Sequence, residues 1–199
     1  MVAQVSLKSG ERIYYKPHSL LLTEQYQKIE NWLWEKMELE KSRHLVVSGD
    51  DYGWEQEGTE AECKCTKEIK EFYYRCGAEC CLTYVLGMTD IHMDNVIAHG
   101  KYPVIIDTEF MFDRRIEVGI QGKNLQQNLM DTVMHTGFVP NGMGTMHVNV
   151  SVLNTCDEQR LSVKMPMVIN KGTSEMNISY HYPKLSHKKN MPIYEGKYI

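Results

Sequence analysis

The chain has 199 residues, of which 42% are hydrophobic and 24% are charged, and its formal net charge is −4. This length allows one well-packed core, and the composition argues against a disordered, collagen-like or membrane-barrel protein. The negative charge gives no reason to expect nucleic acid or an anionic membrane as a partner. No apolar run approaches the roughly 18 to 20 residues of a spanning helix, and the chain does not start like a secretion signal, so we expect a cytoplasmic protein.

The cysteines bear on metal binding and on redox state. Six cysteines are unevenly clustered, and without a secretion signal this usage predicts reduced thiols. Cys63 and Cys65 suggest a metal pair, but a second pair at zinc spacing is absent. Zinc is therefore disfavoured.

The first half of the chain predicts a β-hairpin and a long helix. Residues 2–8 and 11–15 are rich in β-branched and aromatic side chains, with a Ser-Gly turn between them. The second strand leads into Lys16. Residues 18–41 then predict an amphipathic helix, because apolar side chains recur there at intervals of three or four: Leu22, Tyr26, Ile29, Leu33 and Met37. A short apolar strand and an aromatic segment ending at Trp54 follow.

The second half begins with another helix and another hairpin. Residues 67–86 have a helical period, and Gly87 is a plausible end of that helix. Two short strands in 95–107 are joined by a Gly-Lys turn. Beyond Phe112 we predict a helix over 125–137, a flexible loop at 142–144, and a mixture of strand and coil. The elements predict an α+β fold without repeats or a linker.

Residues 89–110 place polar groups that can act in phosphoryl transfer around an apolar strand. The loop has the pattern Asp90-x-His92-x-x-Asn95, and Asp107 follows the strand twelve residues later. Asp90 can orient or deprotonate an attacking hydroxyl, whereas an amide and a second carboxylate are suited to Mg²⁺, which prefers oxygen ligands. Asn95 and Asp107 fit that task, since an antiparallel hairpin brings its two ends together.

Three further residues complete the predicted site. His92 can fix the loop or contact phosphate, and Glu109 can be another metal ligand or support one. Lys16 ends a strand near the start of the domain, where a kinase site needs a cation for the nucleotide phosphates. Its predicted partner is a glutamate of the following helix, with the choice left open: Glu24, Glu30, Glu35, Glu38 or Glu40.

Each of these residues also has an ordinary interpretation. Asp90 and Asn95 are common turn residues, His92 can be a buried core histidine, and a lone Lys16 is normally solvated. Asp107 is harder to explain structurally, because an unpaired carboxylate at the end of a buried strand is costly. The order of lysine strand, helix, strands, helix, loop and metal aspartate favours the phosphotransferase interpretation.

Several segments resemble the dehydratase domain of the class II (LanM-type) lanthipeptide synthetases. They are "GERIYYKPHSL" at 10–20, "GDDYGWEQ" at 49–56, the stretch 72–112, "HTGFVP" at 135–140 and "KNMPIYEG" at 189–196. The resemblance runs along essentially the whole chain. It implies a lipid-kinase-like core with two lobes, one within about residues 1–56 and the other within 57–199.

The resemblance also implies an activity and residue roles. Such enzymes phosphorylate Ser and Thr of a precursor peptide with ATP and Mg²⁺ and then eliminate phosphate, in lantibiotic biosynthesis. Lys16 is then the nucleotide-phosphate lysine, Asp90 the catalytic acid with His92 in support, and Asn95 and Asp107 the magnesium ligands, with Glu109 nearby.

The pattern departs from the family at its ends. The family's Asp and His before the lysine strand, its Arg and Thr for phosphate elimination and its cyclase domain have no counterpart here. We therefore expect a core incomplete at both ends, which works with the remaining synthetase segments or is inactive. Two alternatives stay open: a small-molecule phosphotransferase of the aminoglycoside-kinase type, and a non-catalytic module that binds the precursor peptide or another subunit.

Overall fold

The computed structural model describes residues 1–112, 132–140, 149–154, 159–160, 163–185 and 188–199. In these ranges two long helices pack with small antiparallel sheets. The predicted combination of helices and sheets is therefore confirmed. The two-lobed, kinase-like arrangement and its division near residue 56 stay predictions.

The largest sheet has four strands in the order β1-β2-β4-β3. Its strands are β1 (Ala3–Ser6), β2 (Arg12–Lys16), β3 (Val46–Ser48) and β4 (Gly53–Gln56). The predicted first hairpin is confirmed, and its turn contains Gly10 at a φ of 91°, which glycine adopts without strain. β2 pairs antiparallel with β4, so that Lys16 lies opposite Gly53.

The predicted first helix forms as α1 (Leu21–Lys36), but its buried face differs from the predicted one. Leu22 is 44% exposed, and Ile29, Leu33 and Met37 are only half-buried. The buried line is shifted along the helix and is partly polar, consisting of Thr23, Tyr26, Glu30 and Trp34. The spacing of apolar residues alone does not predict this buried face, because two of its side chains, Tyr26 and Glu30, make polar contacts with the second helix.

The second predicted helix is confirmed as α2 (Thr66–Val85). It ends as expected at Gly87, whose φ is 59°. The Met88 N–H donates to the Thr83 carbonyl at 2.8 Å, which satisfies an acceptor of the last turn. The helix therefore stops just before the loop that carries the predicted catalytic residues.

A buried polar network joins α1 to α2. The Tyr26 hydroxyl donates to the Glu79 carboxyl group. Burial and the neighbouring Glu30 raise the pKa of Glu79 well above its usual range, and burial also raises the pKa of Glu30. Arg75, which is fully buried, pairs with Glu71 at 2.7 Å. Because an acid in such surroundings is costly to ionise, the network favours a protonated Glu79.

The second predicted hairpin is confirmed as β5 (Val96–His99) and β6 (Tyr102–Ile105), with Gly100 in its turn at a φ of 57°. Its strands contribute to the main core. The core cluster joins side chains of both helices, this hairpin and later segments: Tyr26, Phe72, Cys76, Met88, Ile91, Val96, Ala98, Ile105, Met111, Phe138 and Val152.

Short elements make up the rest of the described chain. Part of the predicted helix at 125–137 is a short 3-10 helix, Val133–Thr136; residues 125–131 and the loop at 142–144 lie outside the described residues. Three pairs follow: β7 (Gln159–Arg160) with β10 (Lys184–Leu185), β8 (Met165–Ile169) with β9 (Asn177–His181), and β11 (Ile193–Tyr194) with β12 (Lys197–Tyr198). Among the described residues, no helix is both apolar and long enough for a membrane crossing.

The core location of α2 predicts a sharp contrast between two aromatic positions. Phe72 is fully buried and Tyr74 is 61% exposed. Phe72→Ala leaves a cavity in the core and is expected to lower the free energy of unfolding by about 3 to 5 kcal/mol. Tyr74→Ala, the matched control, is expected to change it by less than about 1 kcal/mol. Urea denaturation followed by circular dichroism measures both; equal losses would contradict this packing.

Candidate functional site

Lys16 forms a largely buried ion pair with a residue that the sequence did not single out. Its Nζ lies 2.7 Å from the Glu55 carboxylate, and the two side chains are 17% and 5% exposed. The strand register explains the pair: Lys16 lies opposite Gly53, and Glu55 is two residues further along β4 on the same face. A partly buried cation on a strand is thereby held in place by a buried carboxylate of the neighbouring strand.

The prediction that a glutamate of the α1 region pairs with Lys16 is wrong. Four of the five candidates contact other groups: Glu24 accepts from the Ser48 N–H, Glu30 interacts with Glu79, Glu35 binds Lys41, and Glu40 binds Lys101. Glu38 lies beyond the end of α1 with a φ of 56°. The partner of Lys16 is thus determined by the pairing of β2 with β4, which brings Glu55 next to it.

Asp107 and Glu109 follow β6 and form the acidic part of the site. Burial raises the pKa of Asp107, the negative charge of Glu109 raises it further, and Lys16 acts in the opposite direction. Lys16 is therefore close enough to Asp107 to oppose this rise in its pKa. Glu109 lies 3.1 Å from the His18 ring nitrogen, so a residue just after the lysine strand also contacts this acidic segment.

The loop from Asp90 to Asn95 is closed by its own hydrogen bonds. The Asn95 side-chain amide donates to the Asp90 carbonyl at 2.9 Å, and the Asn95 N–H donates to the His92 carbonyl at 2.9 Å. Asp90 has a φ of 63°, an uncommon conformation for a residue with a side chain, and its side chain is 58% exposed. The loop thus presents a carboxylate to its surroundings from a constrained backbone.

His92 lies between two carboxylates of the same loop. Its ring nitrogens are 3.8 Å from Asp90 and 3.8 Å from Asp94, which is too long for hydrogen bonds. Its Nδ1 instead accepts from the Asp94 N–H at 3.2 Å. This contact fixes the ring within the turn. The loop-supporting role of His92 stays a prediction.

The β5–β6 hairpin brings Asn95 near Asp107, as the sequence predicts. Val96 pairs with Ile105, and the Ile106 N–H donates to the Asn95 carbonyl at 3.0 Å. Asp107 is the next residue along the chain. The twelve-residue separation therefore becomes a short distance between the two ends of one hairpin.

The predicted residues meet in two neighbouring groups rather than in one set of direct contacts. Lys16, Asp107 and Glu109 belong to one electrostatic environment, and Asp90, His92 and Asn95 form the loop beside it. Across the described residues, Lys16 has no ion pair within 4.0 Å with any of these predicted acids. The hairpin connects the two groups through Asn95 and Ile106.

The carboxylates of this site fit a hydrated magnesium ion better than a fully protein-bound metal. In the described part of the chain, no three His, Cys, Asp or Glu side chains cluster closely enough to hold a metal ion. Mg²⁺ usually binds one or two carboxylates together with water and phosphate oxygens. Asp107 is half-buried beside Glu109, and the nearby Lys16 is already paired with Glu55, so a divalent cation would relieve unfavourable negative charge.

Two later segments of the chain accept backbone hydrogen bonds from the loop between Asp90 and Asn95. The Ile91 N–H donates to the Thr136 carbonyl at 3.0 Å, and the Met93 N–H donates to the Val150 carbonyl at 2.8 Å. Gly137 packs against the same loop at a φ of 84°. Sequence reasoning had given these residues no role. The family-like motif at 135–140 drew attention to this segment, but the sequence does not show that the segment contacts the loop, because that contact depends on tertiary structure.

A cavity of about 330 Å³ lies at the turn end of the β5–β6 hairpin, whereas Asn95 and Asp107 lie at the other end. It is bounded by residues 40–44 after α1, by residues 56–59 at and just after the end of β4, and by the β5–β6 hairpin. None of the six predicted site residues lines it. His44 is on its wall and also contacts Glu55, so this cavity and Lys16 are connected through one carboxylate.

Gly137 should be essential for the shape of the loop. A Cβ at this position would lie 2.6 Å from the Ile91 carbonyl oxygen, and the positive φ adds strain. We expect Gly137→Ala to expose the Ile91 amide to hydrogen exchange at least about tenfold faster, because a backbone clash must be relieved. Gly172→Ala is the matched control, since its φ is 83° but no atom lies within 4 Å. Equal exchange at Ile91 in both variants would refute the contact.

Asp107 should make stability depend on pH. Its pKa in the folded state lies above its ordinary value, so the folded protein binds more protons than the unfolded chain. The stabilising effect is present below the ordinary carboxyl pKa and is lost as pH rises through the folded value. Asp107→Asn should therefore lose less stability than wild type between acidic and neutral pH.

The measurement is urea unfolding across that pH window for wild type, Asp107→Asn and Asp94→Asn. Asp94 is 54% exposed and controls for the removal of a carboxylate from the same region. Parallel stability curves for wild type and Asp107→Asn would show that Asp107 does not titrate as described.

Comparison with known proteins places the chain in a family. A family described as a domain of unknown function, DUF4135, matches residues 1–199. A curated relative from Lactococcus lactis subsp. lactis, the lacticin 481/lactococcin biosynthesis protein LcnDR2, is 34% identical over 94 residues. That match covers 45% of this chain and 10% of the relative. The resemblance to class II lanthipeptide synthetases is confirmed, and the chain belongs to the DUF4135 family.

Proposed function

We propose that this chain is an ATP- and Mg²⁺-dependent phosphotransferase unit of lanthipeptide biosynthesis, acting on Ser and Thr hydroxyls of a precursor peptide. The observation that carries the proposal is the joint arrangement of a strand lysine paired with a buried carboxylate, a constrained Asp-x-His-x-x-Asn loop and two carboxylates after the next hairpin. The relative's role in lacticin and lactococcin biosynthesis supplies the biological setting. The proposal includes a kinase-like arrangement of the sheet and the helical part.

The proposed division of labour follows from charge. Lys16 offers a positive charge to nucleotide phosphates, since a phosphate oxygen can share its ammonium group with Glu55. Asn95 and Asp107 would hold Mg²⁺, with Glu109 close to them. When bound, the ion supplies charge neutralisation and orientation of the phosphates. The half-buried Asp107 with its raised pKa has reason to accept a cation.

Asp90 is the proposed proton acceptor or orienting group for the peptide hydroxyl. Its exposed carboxylate can be reached by a substrate, and the hydrogen bonds from Asn95 and His92 fix its backbone. A loop held in this way keeps the carboxylate in position without fixing the side chain to another protein group. Phosphoryl transfer depends mainly on such positioning and on charge stabilisation.

Transfer to a peptide is the decisive test. The full chain is incubated with MgATP and a Ser- and Thr-rich lacticin-type precursor peptide, and mass spectrometry detects added phosphoryl groups. Asp90→Asn is expected to lower the rate by about 100-fold or more, because general-base groups contribute factors of that order. Asp94→Asn, an exposed acid of the same loop, should retain most of the activity.

Nucleotide binding provides a second readout. A ligand that binds the folded state raises the unfolding midpoint, so MgATP should stabilise wild type and Asp90→Asn alike, and Lys16→Met much less. Phosphorylation of a small hydroxylated molecule with the peptide ignored would contradict the proposal. Peptide binding without ATP turnover would contradict it as well.

A further inference from the structure

The Glu55 carboxylate is shared by two donors from different parts of the fold. One oxygen lies 2.7 Å from Lys16 Nζ, and the other lies 3.0 Å from His44 Nε2. The side chains of Glu55 and His44 are 5% and 8% exposed. A carboxylate this deeply buried needs a donor for each oxygen, since water cannot replace one that is lost.

The chemistry of the contact fixes the protonation of the histidine nitrogen. A carboxylate only accepts hydrogen bonds, so His44 Nε2 must carry a hydrogen at this distance. The charge of the ring is not required for the contact. An uncharged donor at the same place can therefore replace it, which makes glutamine a suitable test residue.

His44 is itself held by elements that do not include the lysine strand. Its carbonyl accepts a hydrogen bond from the Gln27 side chain of α1 at 3.2 Å, and Val46, two residues later, starts β3. Its Nε2 then reaches across to Glu55 on β4. The histidine thus links α1 and β3, which hold its backbone, to the Glu55 carboxylate that binds Lys16.

The lysine needs such a connection. Lys16 has a long, flexible side chain with a compact charge, and Glu55 is its ion-pair partner. If one Glu55 oxygen lost its donor, the carboxylate would turn towards another protein donor, and the ammonium group would move with it. The position of Lys16 therefore depends on a residue that does not touch it.

We propose that His44 is a positioning residue for Lys16, acting through Glu55. The inference rests on the proposed function only where it concerns nucleotide binding; the position of Lys16 can be tested without it. The competing explanation is that His44 merely forms part of the cavity wall. His99 lines the same cavity, but its ring contacts the Thr59 carbonyl and not Glu55. A substitution of His99 therefore tests the effect of changing the cavity wall alone.

The first experiment measures the reactivity of Lys16 without nucleotide. The folded chain is treated with acetic anhydride, and mass spectrometry compares acylation of Lys16 with that of the exposed Lys28. His44→Leu should raise the relative rate at Lys16 by about fivefold to tenfold, a factor suited to the loss of a hydrogen bond to a charged group. His44→Gln should restore the slow rate, and His99→Leu should leave it unchanged.

The second experiment asks whether the effect on nucleotide binding passes through the lysine. The dissociation constant for MgATP is measured in wild type, His44→Leu, Lys16→Met and the double variant. His44→Leu alone should weaken binding by a similar factor, but should add little once Lys16 is absent. Such non-additivity is the signature of two residues that act through one contact.

The outcomes separate the two ideas. A Lys16 acylation rate in His44→Leu that stays within about twofold of wild type, or falls, overturns the positioning role. Equal changes in His44→Leu and His99→Leu, or no rescue by glutamine, overturn it too. If the acylation pattern is as expected but wild type does not bind MgATP, the positioning role stands and the proposed function fails.

Discussion

The antiparallel pairing of β5 with β6 is the constraint on which the site depends. This hairpin sets Asn95 beside Ile106 and hence near Asp107, and its apolar side chains belong to the core. Its outer edge is also covered: the Ala61 N–H donates to the Ala98 carbonyl, and the Ala98 N–H donates to the Lys189 carbonyl. A change in its register would separate the predicted magnesium ligands and disturb the core together.

Glycine allows the neighbouring segment to approach this hairpin. A Cβ on Gly58 would lie 2.5 Å from Ile97 Cδ1, so the segment after β4 lies directly against the hairpin. The same segment continues from Glu55, the partner of Lys16. The distance between the lysine sheet and the acidic end of β6 is therefore set by close packing rather than by a flexible linker.

The sequence predicted the elements of the site well, because each one has a local pattern. The turns at Gly10 and Gly100 and the helix end at Gly87 have the positive φ values that favour glycine. The order of the residues along the chain also predicted that Asn95 and Asp107 come together. The local sequence pattern was sufficient to predict a contact wherever both of its residues lie within one hairpin or one helix.

Contacts between distant elements could not be predicted in this way. Glu55 pairs with Lys16 because β2 and β4 are neighbours in the sheet, although α1 and β3 separate them in sequence. The buried face of α1 was misplaced for a related reason, since Glu30 contacts groups of α2 and is not apolar. Gly137 escaped notice because its requirement comes from the Ile91 carbonyl, which no local pattern contains.

The position of α1 links these contacts into one system. The helix is tied to the acidic segment by a 3.0 Å hydrogen bond between the buried hydroxyls of Thr23 and Thr108, to β3 by Glu24, and to α2 by Tyr26. A shift of α1 would therefore move the segment of Asp107 at the same time as the strand that follows His44. Since several buried polar groups would lose their partners in such a shift, the packing strongly favours a single arrangement. The hydrogen bonds around α1 thereby hold the backbone segments that carry the charged residues of the site.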